Sequence, residues 1–248
     1  MSKLVWDAIG AHIYETGVDH GVLYQVDTTG KYVNGVAWNG LTSASESPSG
    51  AEAQKQYADN MNYLTLYSAE EFGMTIEAFT YPEEFEQNDG SASPVSGLNI
   101  GQQPRKSFGL SYRTKVGNDV VGDDYGYKLH LVYGCRAAPS ERGYSTINDS
   151  PEAITFSWEI STTPVQITGY EPSALLTIDS TKFAQADAEK LTLLETLLYG
   201  RDAVTGTNAV TAMIPVLPLP DVVMHVLKGD TGYTDVDTVY DMIKPATN

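Results

Sequence analysis

The sequence predicts a mainly β domain over residues 1–200, closed by one flanking α-helix, and a short helical extension at its C-terminal end. Three observations predict this. Apolar and polar residues alternate with period two through the first 180 positions. After Ser180 the period becomes three and four. A Pro-containing stretch, 201–217, then separates that helix from two shorter helical patterns in 218–248.

In chain order, His12–Glu15 and Gly21–Asp27 read as two short strands around the turn Thr16-Gly17-Val18-Asp19-His20. Val33–Ser47 is extended apart from a turn at Asn39-Gly40, and Gly73–Tyr81 is β-branched and aromatic. Between them lies Ser43–Asn62, rich in small polar residues. It is too long for an ordinary connection, and a loop of this length is expected to be functional or disordered. Arg105–Val116 alternates most cleanly. Phe108, Leu110, Tyr112 and Val116 form an apolar face; Arg105, Ser107, Ser111, Arg113 and Lys115 form a wet, basic one. The loop 117–124 leads to a partner strand with Tyr127, Leu129, Leu131 and Tyr133 on one side, so the pair predicts a long hairpin. Ile154, Phe156, Trp158 and Ile160 alternate with polar residues until Pro164, and Ser173–Asp179 supplies one more strand.

Asp187–Tyr199 places Leu191, Leu194 and Leu198 on one face, with Leu193 and Leu197 beside them. Asp187 is the expected N-cap and Gly200 the stop. Residues 201–217 read as a linker. Pro218–Leu227 and Asp235–Ile243 read as two short helices, the second with a capping box from Thr234 to Asp237. Its stripe Val236, Val239, Tyr240 and Ile243 needs a partner, and a second subunit is the expected one.

Composition narrows function. The chain of 248 residues has 32 acidic against 15 basic side chains and a net charge of −17, which opposes a grip on nucleic acid. Ten of the acids and a single base lie in residues 46–98, so more than half of the net charge sits there. The lone cysteine, Cys135, excludes an internal disulfide framework and a Cys-rich metal site. No signal or membrane segment is read. The uncharged run Ala203–Pro220 holds Gly206, Asn208 and three prolines, and would make a poor membrane helix.

The motifs of catalysis are missing. No Gly-x-Ser-x-Gly, no His-Glu-x-x-His and no Gly-rich phosphate loop occurs, so neither catalytic residues nor cofactor or metal ligands are expected. Asn148-Asp149-Ser150 fits a glycosylation sequon but lacks a secretory signal. Acid pairs such as Glu70-Glu71, Glu83-Glu84 and Asp123-Asp124 point to opposite faces of a strand and read as solvated surface rather than a glycosidase pair.

Several strings do resemble a known family. Ser47-Pro48-Ser49-Gly50-Ala51-Glu52, Tyr57-Ala58-Asp59-Asn60 and Glu71-Phe72-Gly73-Met74-Thr75-Ile76-Glu77-Ala78 resemble major tail proteins of siphophages infecting Gram-positive bacteria. So do Lys106-Ser107-Phe108-Gly109-Leu110-Ser111-Tyr112-Arg113, the segment from Gly117 to Gly134, and Ile154 through Val165. The resemblance covers roughly residues 1–200. It implies a β-sandwich or barrel-like tail tube fold with a flanking helix, and a structural, non-enzymatic virion protein assembled in the host cytoplasm. It further implies stacked hexameric rings, a lumen crossed by DNA as cargo, and contacts with tape measure, distal tail and tail terminator proteins. On this reading Glu46, Glu52, Tyr57 and Asp59 belong to an inter-ring loop, and Arg105, Arg113 and Lys115 to a complementary basic strand. The alternative is a carbohydrate-binding β-sandwich with Trp6, Trp38 or Trp158 as a sugar platform.

Overall fold

The structure, a computed structural model, describes residues 4–50, 52–144, 146–147, 149, 153–205 and 210–245. Ala51, two residues of the Asn148-Asp149-Ser150 sequon, and Gly206 and Asn208 of the expected linker lie outside them. Strands β1 (Ile13–Val26), β2 (Tyr32–Trp38) and β3 (Leu41–Glu46) come first. An excursion follows, with β4 (Ser49–Gly50), β5 (Ala53–Ala58), β6 (Met61–Tyr67) and β7 (Glu70–Glu71), and the chain re-enters the body at β8 (Gly73–Ala78). The single-turn helix α1 (Glu86–Asp89) and the small hairpin β9 (Ala92–Val95) and β10 (Leu98–Ile100) precede the long strands β11 (Phe108–Asn118) and β12 (Gly122–Ala137). Then come β13 (Phe156–Ser161), β14 (Val165–Ile167), β15 (Tyr170–Ser173), β16 (Leu175–Asp179), and helices α2 (Ala188–Tyr199), α3 (Pro220–Lys228) and α4 (Val236–Ile243).

The main strands form one antiparallel sheet in the order β2-β1-β11-β12-β13-β8-β3, with β16 also beside β12. The chain is mostly β and the sheet folds over itself as a β-sandwich. The fold-over passes through β12. Its middle, Lys128–Val132, pairs with β16, while Arg136 and Ala137 pair with β13. Between these, Gly134 sits at φ 60° with the Thr163 carbonyl 2.2 Å from where a Cβ would lie, so the corner requires glycine. Packed between the two halves are Trp38, Phe85, Phe108, Trp158, Met74 and Ile76, with Trp38 and Phe85 ring centres 4.6 Å apart.

The opposite face of β1, β11 and β12 is also covered. Tyr24, Leu129, Leu131 and Tyr133 pack under Leu191, Leu194 and Leu198 of α2. The remaining leucines of α2, Leu193 and Leu197, pack outward on Val216, Val226 and Val239. The helix is therefore buried on two sides, and the layers run sheet, sheet, α2, then α3 with α4.

Several expectations change. The turn expected at 16–20 is a double bulge inside one long strand, β1, with register shifts on both sides of Asp19. The odd face of 105–116 is not uniformly wet: Ser111 is buried and bonded to Tyr24 Oη at 3.1 Å, because α2 covers this face. The expected linker folds back on its own subunit. Leu217 N–H donates to Tyr32 O at 3.0 Å and Gly35 N–H to Pro215 O at 2.9 Å, which covers the outer edge of β2. Asp187 is at the start of α2, but its carboxylate holds Lys190 at 2.7 Å instead of a cap N–H. The cap of α4 is Asp235, accepting from Thr238 N–H at 2.9 Å, one residue beyond the expected Thr234.

Candidate functional site

The segment expected to be a long loop at 43–62 is a β-hairpin arm. Ser49 and Gly50 pair with Glu71 and Glu70 at its root, and β5 pairs with β6 beyond, from Ala53↔Tyr67 to Ala58↔Met61. Asp59 and Asn60 make the turn at φ 50° and 61°, the left-handed pair a tight hairpin needs, and both residue types tolerate it. All of β5 is exposed, and so is β6 apart from half-buried Thr65. Tyr57, Tyr63 and Tyr67 are 70%, 68% and 72% exposed. Alternation and register put Tyr63 and Tyr67 on one face, Leu64 and Leu66 on the other. Apolar side chains on both faces of an unsupported hairpin are unstable in water alone.

Of the residues assigned to this element from sequence, Glu52, Tyr57 and Asp59 lie on it. Glu46 does not. It ends β3 inside the body, where its carboxylate accepts from Tyr112 Oη–H at 2.7 Å and faces His130 Nδ1 at 3.1 Å. His130 is buried, stacks on Tyr112 with centroids 4.6 Å apart, and reaches Thr114 Oγ1 through Nε2 at 3.0 Å. Burial pushes its imidazole below the ordinary range, against the pull of Glu46 and Glu15. The same burial, with the Glu46 hydrogen bond, pushes the Tyr112 phenol well up.

The expected basic strand does not act as one surface. Arg113 is paired within the subunit to Asp19, at 2.7 and 3.0 Å, and this guanidinium holds the Asp19 carboxyl below its ordinary range. Lys115 is exposed on the same strand. Arg105 lies before β11, against Gly90 at the end of α1. The stripe Val236, Val239, Tyr240 and Ile243 packs against Leu193, Leu197, Val216 and Val226 of its own chain, with Val239 fully buried. Its partner is α2 and not a neighbouring subunit.

Sequence reading stopped at Asn62 and so missed Tyr63, Leu64, Leu66 and Tyr67. The signal present was Met61-Asn62-Tyr63-Leu64-Thr65-Leu66-Tyr67, β-branched and aromatic directly after an Asp-Asn turn.

Other chemistry has little footing. Trp38 and Trp158 are core residues, leaving Trp6 as the exposed tryptophan. Burial pushes the Cys135 thiol far up, away from nucleophilic use. Glu70-Glu71, Glu83-Glu84 and Asp123-Asp124 are all exposed. Among the described residues no group of three or more His, Cys, Asp or Glu is placed to hold a metal, and no helix is long and apolar enough to cross a membrane.

No family model and no curated protein matches the chain. A chain of the solved cryo-EM structure of the anti-feeding prophage (AFP) baseplate, 6-fold symmetrised, is similar at 9% identity and a TM-score of 0.33, covering 74% of this chain and 100% of that one. A likeness of that depth carries no weight for function.

Proposed function

We propose that the chain is a structural virion protein, a tail tube subunit without catalytic activity that assembles into stacked, hexameric rings. The carrying observation is the β5–β6 arm, exposed on both faces and, among the described residues, joined to the body through the β4–β7 pair at its root. The arm coincides with the segment whose sequence resembles the ring-bridging element of siphophage major tail proteins. The sandwich and flanking α2 coincide with the expected domain. Rings of one chain need a heterologous contact that closes around the axis and another that repeats along it, and a projecting arm suits the second. The acidity suits a conduit: carboxylates repel phosphate, so DNA passes as cargo. Tape measure, distal tail and tail terminator proteins are the partners this role requires.

Electron microscopy of the purified chain is the test. Rings or hollow tubes are expected; uniform monomers at all concentrations would remove the reading and return the carbohydrate-binding module to consideration. Charge reversal at Glu52 and Asp59 addresses the arm directly. Glu46 does not belong in such a variant, because reversing its charge would remove the acceptor of Tyr112 Oη–H and set an ammonium against His130.

A further inference from the structure

A polar cavity lies beside α1, and no residue of the arm lines it. It is open to solvent, has a volume of about 590 Å³ and is lined by Asp89, Ser91, Gln102, Gln103, Arg105 and Arg142, among others. Arg105 Nε is buried with no hydrogen-bond partner among the described residues. Around it, Arg136 donates to Arg105 O at 3.2 Å and Lys106 Nζ to Gln87 Oε1 at 2.9 Å. None of Arg105, Lys106 and Arg136 has a carboxylate partner among the described residues. The nearby carboxylates are Asp89, held by Arg142 and by Trp158 Nε1–H at 3.2 Å; Glu86, which accepts from Ser93 and Asn99; and exposed Glu141. In a chain of net charge −17, a concentration of unpaired cations around a buried, unsatisfied donor calls for a carboxylate from outside.

The β9–β10 hairpin springs from the cavity wall. Ser91 and Gly101 in its wall are the roots of the β9–β10 hairpin, whose Val95, Leu98 and Ile100 are exposed. Arg105 in the wall, with Lys106 and Arg136 next to it, complements the carboxylate at the arm's Asp59-Asn60 tip. The tip's carboxylate suits Arg105, and its carboxamide suits the Gln102, Gln103 and Ser91 side chains.

We infer that the cavity beside α1 receives the Asp59-Asn60 tip of the arm from a second copy of this chain. The inference rests on the self-assembly reading and names the receiving surface that reading leaves open.

The test mixes two full-length variants, Asp59→Cys and Gln102→Cys; Cys135 is buried and does not compete. Oxidation of the assembled mixture is expected to yield a 59–102 inter-chain disulfide, with none between Asp59→Cys and Glu189→Cys on α2. Separately, Arg105→Glu is expected to raise the concentration needed for assembly by at least about tenfold, and Asp59→Lys in the same chain to restore it. Circular dichroism of each variant confirms that the fold is kept. A parent chain that assembles while the 59–102 cross-link is missing, or an Arg105→Glu variant that assembles like the parent, overturns the inference and leaves the tube reading standing. Arg105-dependent binding of duplex DNA to the free chain would assign the cavity to nucleic acid and overturn it too. A parent chain that never assembles removes both.

Discussion

His130 has two ring nitrogens in unequal surroundings. Thr114 Oγ1 donates to Glu15, so its lone pair is free to accept from Nε2–H, and this leaves the Nδ1 lone pair facing the Glu46 carboxylate at 3.1 Å. A proton at Nδ1 would relieve that contact, yet burial opposes the charge and holds the imidazole below its ordinary 6.5. The unfolded chain therefore takes up the proton first as pH falls, and stability contributed by neutral His130 is lost below that value. The melting temperature is expected to fall between about pH 7 and 5, and less steeply in His130→Gln. His12, raised by its hydrogen bond to Asp119, acts in the opposite sense, so the difference between parent and variant isolates His130. Equal slopes would contradict the assignment. None of this network was legible in sequence: Glu15, Glu46, Thr114 and His130 meet only because β1, β3 and β12 converge with β11. Trp158 was legible, since it stands on the apolar side of a strand whose alternation is plain.

At the scale of elements, two deletions separate assembly from folding. Among the described residues the strands of the arm pair with each other and lie exposed beyond the root, so replacing residues 52–69 by a short Gly-Ser turn should leave the melting temperature within a few degrees and abolish assembly. An arm-less chain that builds normal tubes would refute its role. Truncation after Gly200 should do the reverse. It removes Leu217, Val223, Val226 and Val239, each worth about 1.5–3 kcal/mol when buried, and uncovers Leu193, Leu197 and the edge of β2. A truncated chain with native thermal stability would show that the extension is a separate attachment. The helices were readable from their three-and-four spacing and from Gly200. That α2 is buried on two sides was hinted at by Leu193 and Leu197 but not resolved, because a helix alone does not reveal what lies outside it. The arm stayed hidden for a related reason. Its apolar residues face both ways and no core fixes which is inside, so the small polar residues before it dominated the reading.

For the whole molecule, the charge of −17 limits association to locally complementary contacts, and the structure separates the pieces. Acidic Glu52, Asp59, Glu70 and Glu71 stand on the arm, while Arg105, Lys106 and Arg136 gather near α1. The outer edge of β2 is closed by residues 215–217, which leaves other surfaces for the proposed assembly. Hydrogen exchange on the dispersed and the assembled chain tests this account most directly. The amides of Ala53–Ala58 and Met61–Tyr67 are expected to exchange rapidly in dispersed subunits and to become protected in rings or tubes. An assembled fraction whose arm exchanges as fast as in the free subunit, or a chain that yields no assembled fraction, would contradict it.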